Sequence, residues 1–519
     1  MQDLHVPVLV VGGSLVGLTT SALLADQGVP HLLVESHTGT AIHPRAASFH
    51  QRTMEVFRSL GLQAAVETAA AAEFVQNGAI MAVESLGGKE LHYFFHSYNE
   101  GVEGLSPTDR LFITQVGLEP VLRDRAAELG AEHRFGTELV SFEQRDDQVR
   151  SVIRSRADGT EQVVTSDYLV AADGAHSKVR SALGIGMSGR GSFADCVTVY
   201  FRADVTALMG DRNLSVVYVN HPELLGFFRF SITGDSGFLA VFSTTDEQGR
   251  RDTQVGDDVS VDRCVGWVRT ALGVEQDEPV EIESVQRWSA SADTADTFSS
   301  GRVFLVGDAA HVMPPTGGFG GNTGVADAHN LAWKLAMVTQ GRAGHGLLES
   351  YDPERRPIAG LTVEQAYTRY VQRVDPSLSQ ENLQSPLDDA SIELGAVYRS
   401  DAVLASEEPG APLDDPRSRS WAVGTRVPHV PLDDGRSTVD LAGRGFAVLV
   451  AEADEDWRKV ADEVERQHSV PIVVHEVRDD GLEGAVLVRP DGVIAWRTQE
   501  AAAASGLDAA VSRLLRRAG

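Results

Sequence analysis

Val6-Pro7-Val8-Leu9-Val10-Val11-Gly12-Gly13-Ser14-Leu15-Val16-Gly17 is the stretch that decides the fold. Residues 6–11 form a continuous apolar run, the mark of a parallel strand buried on both faces. A glycine turn follows, then a helical pattern from about Leu15 to Gln27, which Gly28 ends. Residues 31–35, His-Leu-Leu-Val-Glu, read as the next strand, so the whole is a βαβ unit. The N-terminus of such a helix offers free N–H groups and a partial positive charge, and can hold a pyrophosphate. Gly12 allows the tight turn and Gly17 lets helix and strand pack closely. Glu35 stands where an acidic residue binds a ribose hydroxyl. Ser14 occupies a position where the usual pattern has glycine; Leu15 and Val16 complete the turn. Alone, this motif does not separate one dinucleotide from another.

A second motif lies some 300 residues on: Gly307-Asp308-Ala309-Ala310-His311, then Pro314-Pro315-Thr316-Gly317-Gly318-Phe319-Gly320-Gly321-Asn322-Thr323-Gly324. An aspartate at the end of a buried strand needs a partner, and a sugar hydroxyl suits it. The glycines, placed before a helix expected at 324–340, let backbone approach a flat ring without side-chain clashes. A third motif, Asp173-Gly174-Ala175-His176-Ser177-Lys178-Val179-Arg180, follows a buried strand and opens a helix. Read alone, it is equally a capped helix start, with Ser177 or Asp173 as the cap.

The chain of 519 residues is too long for one ordinary core, so two or three domains are expected. A net charge of −29 repels nucleic acid and anionic membranes. Two cysteines, Cys196 and Cys264, form neither a zinc pattern nor a disulfide framework, which points to a reducing cytoplasm. No apolar run reaches the roughly 20 residues of a membrane helix. No HExxH, EF-hand loop or nucleophile elbow occurs, so neither a metal nor a nucleophile triad is expected.

The remaining patterns imply an α/β fold. Helices are expected at Arg52–Leu60, 115–129 and 355–373, and strands at 137–143, 149–155, 161–165, 167–172 and 303–307. A strand-rich region at 189–290, with Phe227, Phe228, Phe230 and Phe238 as candidate wall residues, suggests a sheet over a pocket. Residues 376–416 read as a linker, and a small α/β unit closes the chain. The division expected is a Rossmann-like domain from 1–175 and 290–400, a substrate-binding β-sheet domain from 74–112 and 180–289, and a C-terminal domain at 411–519.

The three motifs, in this order and spacing, resemble those of the group A flavoprotein monooxygenases, the para-hydroxybenzoate hydroxylase class. Pro44-Arg45-Ala46, Gln115, Trp333-Lys334-Leu335 and Tyr351-Asp352-Pro353-Glu354-Arg355-Arg356-Pro357 also look like this class. Tyr398-Arg399-Ser400, Ser437-Thr438-Val439-Asp440-Leu441 and Val488-Arg489-Pro490-Asp491-Gly492-Val493-Ile494-Ala495-Trp496-Arg497 resemble the aromatic polyketide hydroxylases, nearest the aklavinone hydroxylase type. Ser14, and Ser36 where the class often has arginine, are departures.

The resemblance implies a Rossmann-like FAD-binding domain and a C-terminal domain of thioredoxin-like fold without redox cysteines. It implies that Glu35 binds the adenosine ribose, and that Arg45 and Gln115 line the flavin. Asp308 would hold the ribityl or pyrophosphate region, with Asp173 in the third motif. The Pro315–Gly324 loop, including Gly318, Gly320, Gly321 and Asn322, would lie against the isoalloxazine ring. Asp308 is expected to be buried beside the cofactor and to matter more for its binding than Glu35. The implied reaction is hydroxylation of an aromatic polyketide with NADPH (NADH possible) and O₂, through a C4a-hydroperoxyflavin. Arg373, in Tyr370-Val371-Gln372-Arg373, matches an arginine that faces the substrate in that class; a helix-end arginine complementing the dipole is the plain alternative. His311 and His329 read as structural rather than proton-carrying. Two other readings stay open: a Baeyer–Villiger or ring-opening oxygenase, and a non-catalytic polyketide- or flavin-binding resistance protein. A monomer or homodimer is expected.

Overall fold

The computed structural model describes residues 4–42, 47–245, 251–252, 254–256, 259–404, 410–452, 455–499 and 504–516. The opening βαβ unit forms as read, with strand Leu4–Val11, helix Leu15–Asp26 and strand His31–Glu35. Leu4–Val11 is central in an eight-stranded sheet. It pairs in parallel with His31–Glu35 on one side and with Glu161–Ala171 on the other. Val303–Leu305 adds in parallel beyond Glu161–Ala171, and Glu132–Phe135 beyond His31–Glu35. The strand ends that carry the first, second and third motifs therefore open side by side, where ligands bind in open parallel sheets.

Two strands were expected at 161–165 and 167–172; the structure has one, Glu161–Ala171. Its first half pairs antiparallel with Val149–Ser155, and its second half runs parallel to Leu4–Val11. One strand thus serves a hairpin and the central sheet, and periodicity does not register the change of partner.

A second, nine-stranded sheet is mostly antiparallel and contains Met187–Arg202, Leu214–His221, Leu224–Phe230, Ser236–Thr245 and Glu281–Ala295. Ala79–Val83 joins it in parallel to Leu214–His221, with Glu90–Phe95 at its far side. The long strand Glu281–Ala295 runs across the 289/290 boundary expected between domains. The strand-rich region also contains a helix, Val261–Leu272, capped by Ser260 and ended by Gly273 at φ +73°. Its buried face includes Cys264, Trp267 and Val268.

Two long helices pack on each other, the second also against strand Glu281–Ala295. Phe319–Thr339 begins five residues earlier than expected, so Gly320, Gly321, Asn322 and Gly324 lie inside its first turns. Tyr351–Arg373 is continuous through Pro357. Phe446–Val450, Ile472–Glu476, Ala485–Val488 and Ile494–Thr498 make a third sheet, in spatial order second–first–third–fourth, with helices Glu455–His468 and Ala504–Leu515. The segment read as a linker is anchored; helix Asp389–Leu394 is held by a buried ion pair from Glu393 to Arg110. No helix among the described residues is long and apolar enough to cross a membrane.

Candidate active site

Glycines bring the three motifs together at atomic contact. A Cβ on Gly12 (φ +107°) would fall 2.2 Å from the carbonyl oxygen of Ala172, beside Asp173. A Cβ on Gly17 would fall 1.9 Å from the carbonyl oxygen of Gly12. Val16 fills the remaining gap: Cβ atoms on Gly307 and Gly324 would lie 2.9 and 2.5 Å from its Cγ2. Glycine is needed at these points because backbone meets backbone or a fixed side chain.

Ser14 is the N-cap residue of the first helix, yet its side chain makes no cap bond. It donates instead to Oε1 of Glu119 (2.6 Å), which also accepts the N–H of Leu15 (2.9 Å). Oε2 of Glu119 accepts the N–H of Ala41 (2.7 Å). The departure at Ser14 thus has a partner, supplied by a buried carboxylate 105 residues away. Burial, and next to it the charge of Glu35, push the Glu119 carboxyl upward, against these hydrogen bonds.

Glu35 is buried and accepts the N–H of Gly13 (2.6 Å), the N–H of His37 (2.7 Å) and the hydroxyl of Ser36 (3.0 Å), with His37 Nδ1 at 2.6 Å. Burial works against its charge, but the hydrogen bonds prevail and hold its carboxyl below the usual range. The expected offer of free amides to a phosphate is therefore corrected at two positions. Those of Gly13 and Leu15 are taken by Glu35 and Glu119.

Both residues foreseen as caps of the third motif act at this helix start: Asp173 accepts from Ser177 Oγ (2.5 Å) and from the N–H of Val179, while Ser177, the N-cap, accepts the N–H of Arg180. Arg180 then donates to the carbonyl of Ala309 (2.9 Å), tying this motif to the Gly307–Asp308 turn. Asp308 stands exposed in that turn, not buried as expected. Asp327 does the buried work behind it, accepting from the N–H of Gly307 (3.0 Å), from Arg355 Nε (2.8 Å) and facing His311 Nε2 at 2.7 Å. His311 is fully buried in that contact, in keeping with a structural role.

Pro315 and Gly318 belong to the turn before the helix, where Pro315 is exposed and Gly318 takes φ +69°. The side chain of Asn322 is already in use. Its Oδ1 accepts from His50 N and Thr53 Oγ1, and its Nδ2 donates to the carbonyls of Ser48 and Gly318. It pins this helix start to Ser48–Thr53, so only its backbone is left for a ligand. Gln115 begins helix Gln115–Glu128 and donates to Ser14 Oγ (3.1 Å), while its buried Oε1 has no partner among the described residues. Such an orphaned acceptor beside a glycine turn fits a ligand that donates, as a flavin or a ribityl hydroxyl does. Arg45 lies outside the described residues.

Below the 315–318 turn sits a buried charged group absent from the sequence reading. His50 Nε2 is 3.2 Å from the carbonyl of Gly317 and 3.8 Å from Glu393 Oε1. Arg110 donates to Glu393 at 2.9 and 3.0 Å and to the carbonyl of Tyr98, whose hydroxyl meets Ser48 Oγ. Burial drives the Glu393 carboxyl up to about 7 despite Arg110, and drives His50 down to about 3. Spacing could not reveal this group, because Glu393 lies 283 residues from Arg110. Glu119 left one trace: it stands four residues after Gln115, on the same face of one helix.

Between the second sheet and helix Tyr351–Arg373 runs a row of aromatic rings. Phe94–Tyr218, Tyr218–Phe227, Phe227–Phe242 and Phe242–Tyr370 have centroids 5.5, 6.0, 5.7 and 5.5 Å apart. Phe227 and Phe238, 5.6 Å apart, are on this side. Phe228 and Phe230 are not wall residues; strand alternation sends them into the opposite core with Phe201. At the Phe94 end of the row, Arg373 lies over the ring at 5.0 Å. It lines a cavity of ≈ 240 Å³ with Arg110, Arg369 and Arg417. Those three face Glu393, Asp389 and Asp388, whereas Arg373 has no carboxylate partner among the described residues.

Residues 5–366 match the family of FAD binding domains, and residues 420–518 match that of the aromatic-ring hydroxylase C-terminal domain. The chain is 46% identical to a 4-methyl-5-nitrocatechol 5-monooxygenase of Burkholderia sp, over 96% of this chain and 95% of that one. It is 39% identical to aklavinone 12-hydroxylase of Streptomyces purpurascens, over the full length of both. It superposes with a TM-score of 0.92 on aklavinone-11 hydroxylase in complex with FAD and aklavinone, at 37% identity over 100% of both chains. The motifs meeting at Val16, the orphaned Gln115 and these full-length likenesses agree: the chain belongs to the FAD-binding aromatic-ring hydroxylases, a family of flavin-dependent monooxygenases.

Proposed function

We propose that the chain hydroxylates a phenolic ring of an aromatic polyketide, of the anthracycline or angucycline kind, using NADPH or NADH and O₂. The observation that carries this reading is Arg373, without a carboxylate partner among the described residues, at the end of an aromatic row, in a chain alike over its whole length to an enzyme seen with FAD and aklavinone. Bound FAD, once reduced, supplies the activation of O₂. The chain does the rest. Gly12, Ser14, Leu15, Val16 and Gly17 shape the pyrophosphate turn, with Glu35 at the ribose. Gln115, Arg45, Asp173 and Asp308 hold the middle of the cofactor. Pro315, Gly318, Gly320, Gly321 and the backbone of Asn322 would border the ring. The aromatic row grips a flat substrate and keeps water from it.

Arg373 is given the role of stabilising the substrate phenolate. Arginine stays charged at every working pH, so it acts as a fixed positive field and not as a base. Arg373→Met should leave flavin content and basal NADPH oxidation nearly intact. Product formed per NADPH consumed should fall, and the hydroxylation rate should drop about ten- to thirtyfold, for a barrier raised by about 1.4–2 kcal/mol. Unchanged coupling would return Arg373 to the plain role of a helix-end arginine.

Glu35 and Asp308 separate by their folded environments. Both alanine variants should bind FAD more weakly. Only Glu35→Ala should also destabilise the apo-protein, by about 1–3 kcal/mol, because it leaves the Gly13 N–H without its acceptor. Asp308→Ala, at an exposed position, should cost the apo-protein less. Thermal melts of both apo-proteins check this, and an equal loss in the two would contradict it.

A second reading has a specific ground, the 46% identity to an enzyme named for a nitrocatechol. A single-ring phenol made acidic by a nitro group would suit Arg373 equally well. Substrate-stimulated NADPH oxidation with a tetracyclic polyketide and with a nitrocatechol decides between the two, and product mass separates a phenol from a lactone. The division into three domains is supported by which sheet each strand joins, save at 289/290, where Glu281–Ala295 keeps the second sheet going to residue 295. A thioredoxin-like C-terminal domain is supported by its strand order, and its lack of a thiol role by the absence of cysteine after Cys264. A cytoplasmic monomer or homodimer completes the proposal.

A further inference from the structure

The C-terminal domain is joined to the cofactor half of the molecule by a buried chain of hydrogen bonds. In the third sheet, the carbonyl of Ile494 accepts the N–H of Gly424 (2.7 Å), and the carbonyl of Gly424 accepts the N–H of Tyr398 (2.9 Å). The Tyr398 hydroxyl accepts from Arg355 Nη1 (2.8 Å), and Arg355 Nε donates to Asp327 Oδ1 (2.8 Å). Asp327 Oδ2 accepts the N–H of Gly307. The chain of contacts thus ends on the turn that presents Asp308. A second strut runs beside it. Arg489, on the hairpin of the third sheet, donates through both Nη atoms to Glu354, the neighbour of Arg355, at 2.7 and 2.9 Å, and to Asp491 Oδ2 at 2.5 Å. Lys334 reaches the same Glu354 at 2.9 Å. Arg355, Asp327, Glu354 and Arg489 are all buried, so none of these bonds exchanges freely for water.

We propose that the C-terminal domain is a working part of the FAD site: Arg489 within it, and Tyr398 at its junction with the cofactor half, are positioning residues that set the Gly307–Asp308 turn through Arg355 and Asp327. Without the Tyr398 hydroxyl, one face of the Arg355 guanidinium has no acceptor. Its hold on Asp327 then loosens, and with it the direction of the Gly307 amide. A lysine in place of Arg489 keeps the charge but loses the planar two-nitrogen grip on Glu354, so Glu354 and the start of its helix shift.

The test is FAD titration of the full-length apo-protein in Tyr398→Phe, Arg489→Lys and Asp308→Ala, followed by flavin fluorescence, beside the melting temperature of each apo-protein. Tyr398→Phe and Arg489→Lys should each weaken FAD binding about tenfold, while the apo-protein melts within about 5 °C of the parent. The proposal rests on the reading of this turn as a flavin contact, and Asp308→Ala separates the two. If only Asp308→Ala weakens FAD, the coupling falls. If none of the three does, the turn does not touch FAD and both fall. Weak binding that recovers fully on cooling well below a lowered melting temperature would reduce the two residues to fold supports and overturn the proposal. Should Arg489→Lys fail to fold, Tyr398→Phe decides by itself.

Discussion

Gly17→Ala is expected to empty the protein of flavin, to below about one tenth of the parent occupancy, and to leave much of it aggregated. The added Cβ would lie 1.9 Å from the carbonyl oxygen of Gly12 and 3.4 Å from Ala172 Cβ. The atom it strikes is backbone, so no rotamer change gives relief. The first helix must move off the parallel sheet, and extra atoms forced into a packed core cost about 1–3 kcal/mol or more. The whole cofactor site depends on where that helix starts. Its first turn carries Leu15, held by Glu119, and Val16, which fits between Gly307 and Gly324. A shift there disturbs all three motifs at once. Gly28→Ala is the matched control. Gly28 also has positive φ, +73°, but a Cβ there meets nothing within 4 Å, so it should cost about 1 kcal/mol and keep the flavin. Flavin-to-protein absorbance of the two purified variants gives the comparison, and a yellow, fully loaded Gly17→Ala protein would refute it.

Glu354→Gln should cause the largest loss of stability among single side-chain changes, about 3–5 kcal/mol. Glu354, Lys334 and Arg489 are fully buried, and removing one member of such a group strands the others. With glutamine at 354, two buried cations share only Asp491. The denaturant midpoint measures the loss; a change under about 1 kcal/mol would contradict it. The same group predicts the acid limb. Burial opposes the charge of Glu354, but Arg489 and Lys334 overcome it and hold its carboxyl far below the usual range. Burial likewise opposes Glu55, and Arg426 with Arg52 holds it at about 2. A carboxyl depressed on folding contributes stability that is complete above its unfolded value, near 4.5, and fades as pH falls toward its folded value. The parent should therefore lose stability steeply between about pH 4.5 and pH 2. Glu354→Gln should show a shallower acid limb, since one of the depressed carboxyls is gone. Melting temperatures across that range test the slope.

Both expectations concern residues inside stretches quoted for their resemblance, yet their reasons lie at different levels. Gly17 was legible in its role because a helix must leave a strand tightly there, and only glycine allows it. Glu354 lies in the Tyr351–Pro357 run that marks the family, but nothing in that run names Arg489, 135 residues further on, as its partner. The expected start of the glycine helix at residue 324 missed by five for a related reason. Glycine is a poor helix former in isolation, and here the Asn322 side chain and the packing of Gly324 on Val16 override that preference. Strand Glu161–Ala171 was split in two because its change of partner leaves no mark in its own residues.

The sequence by itself determined the βαβ start, the three cofactor motifs and the family they belong to. Those features rest on backbone conformation and close approach, which constrain residue type locally, and so can be read where they stand. Only the tertiary structure decided which buried polar groups complete one another: Glu119 with Ser14, Asp327 with Gly307, Glu393 with Arg110 and His50, and Arg373 with Phe94 and no carboxylate among the described residues. Hydrophobic period tells which face of an element turns inward. It does not tell which donor meets which acceptor across hundreds of residues, because that choice is made when the sheets and helices pack.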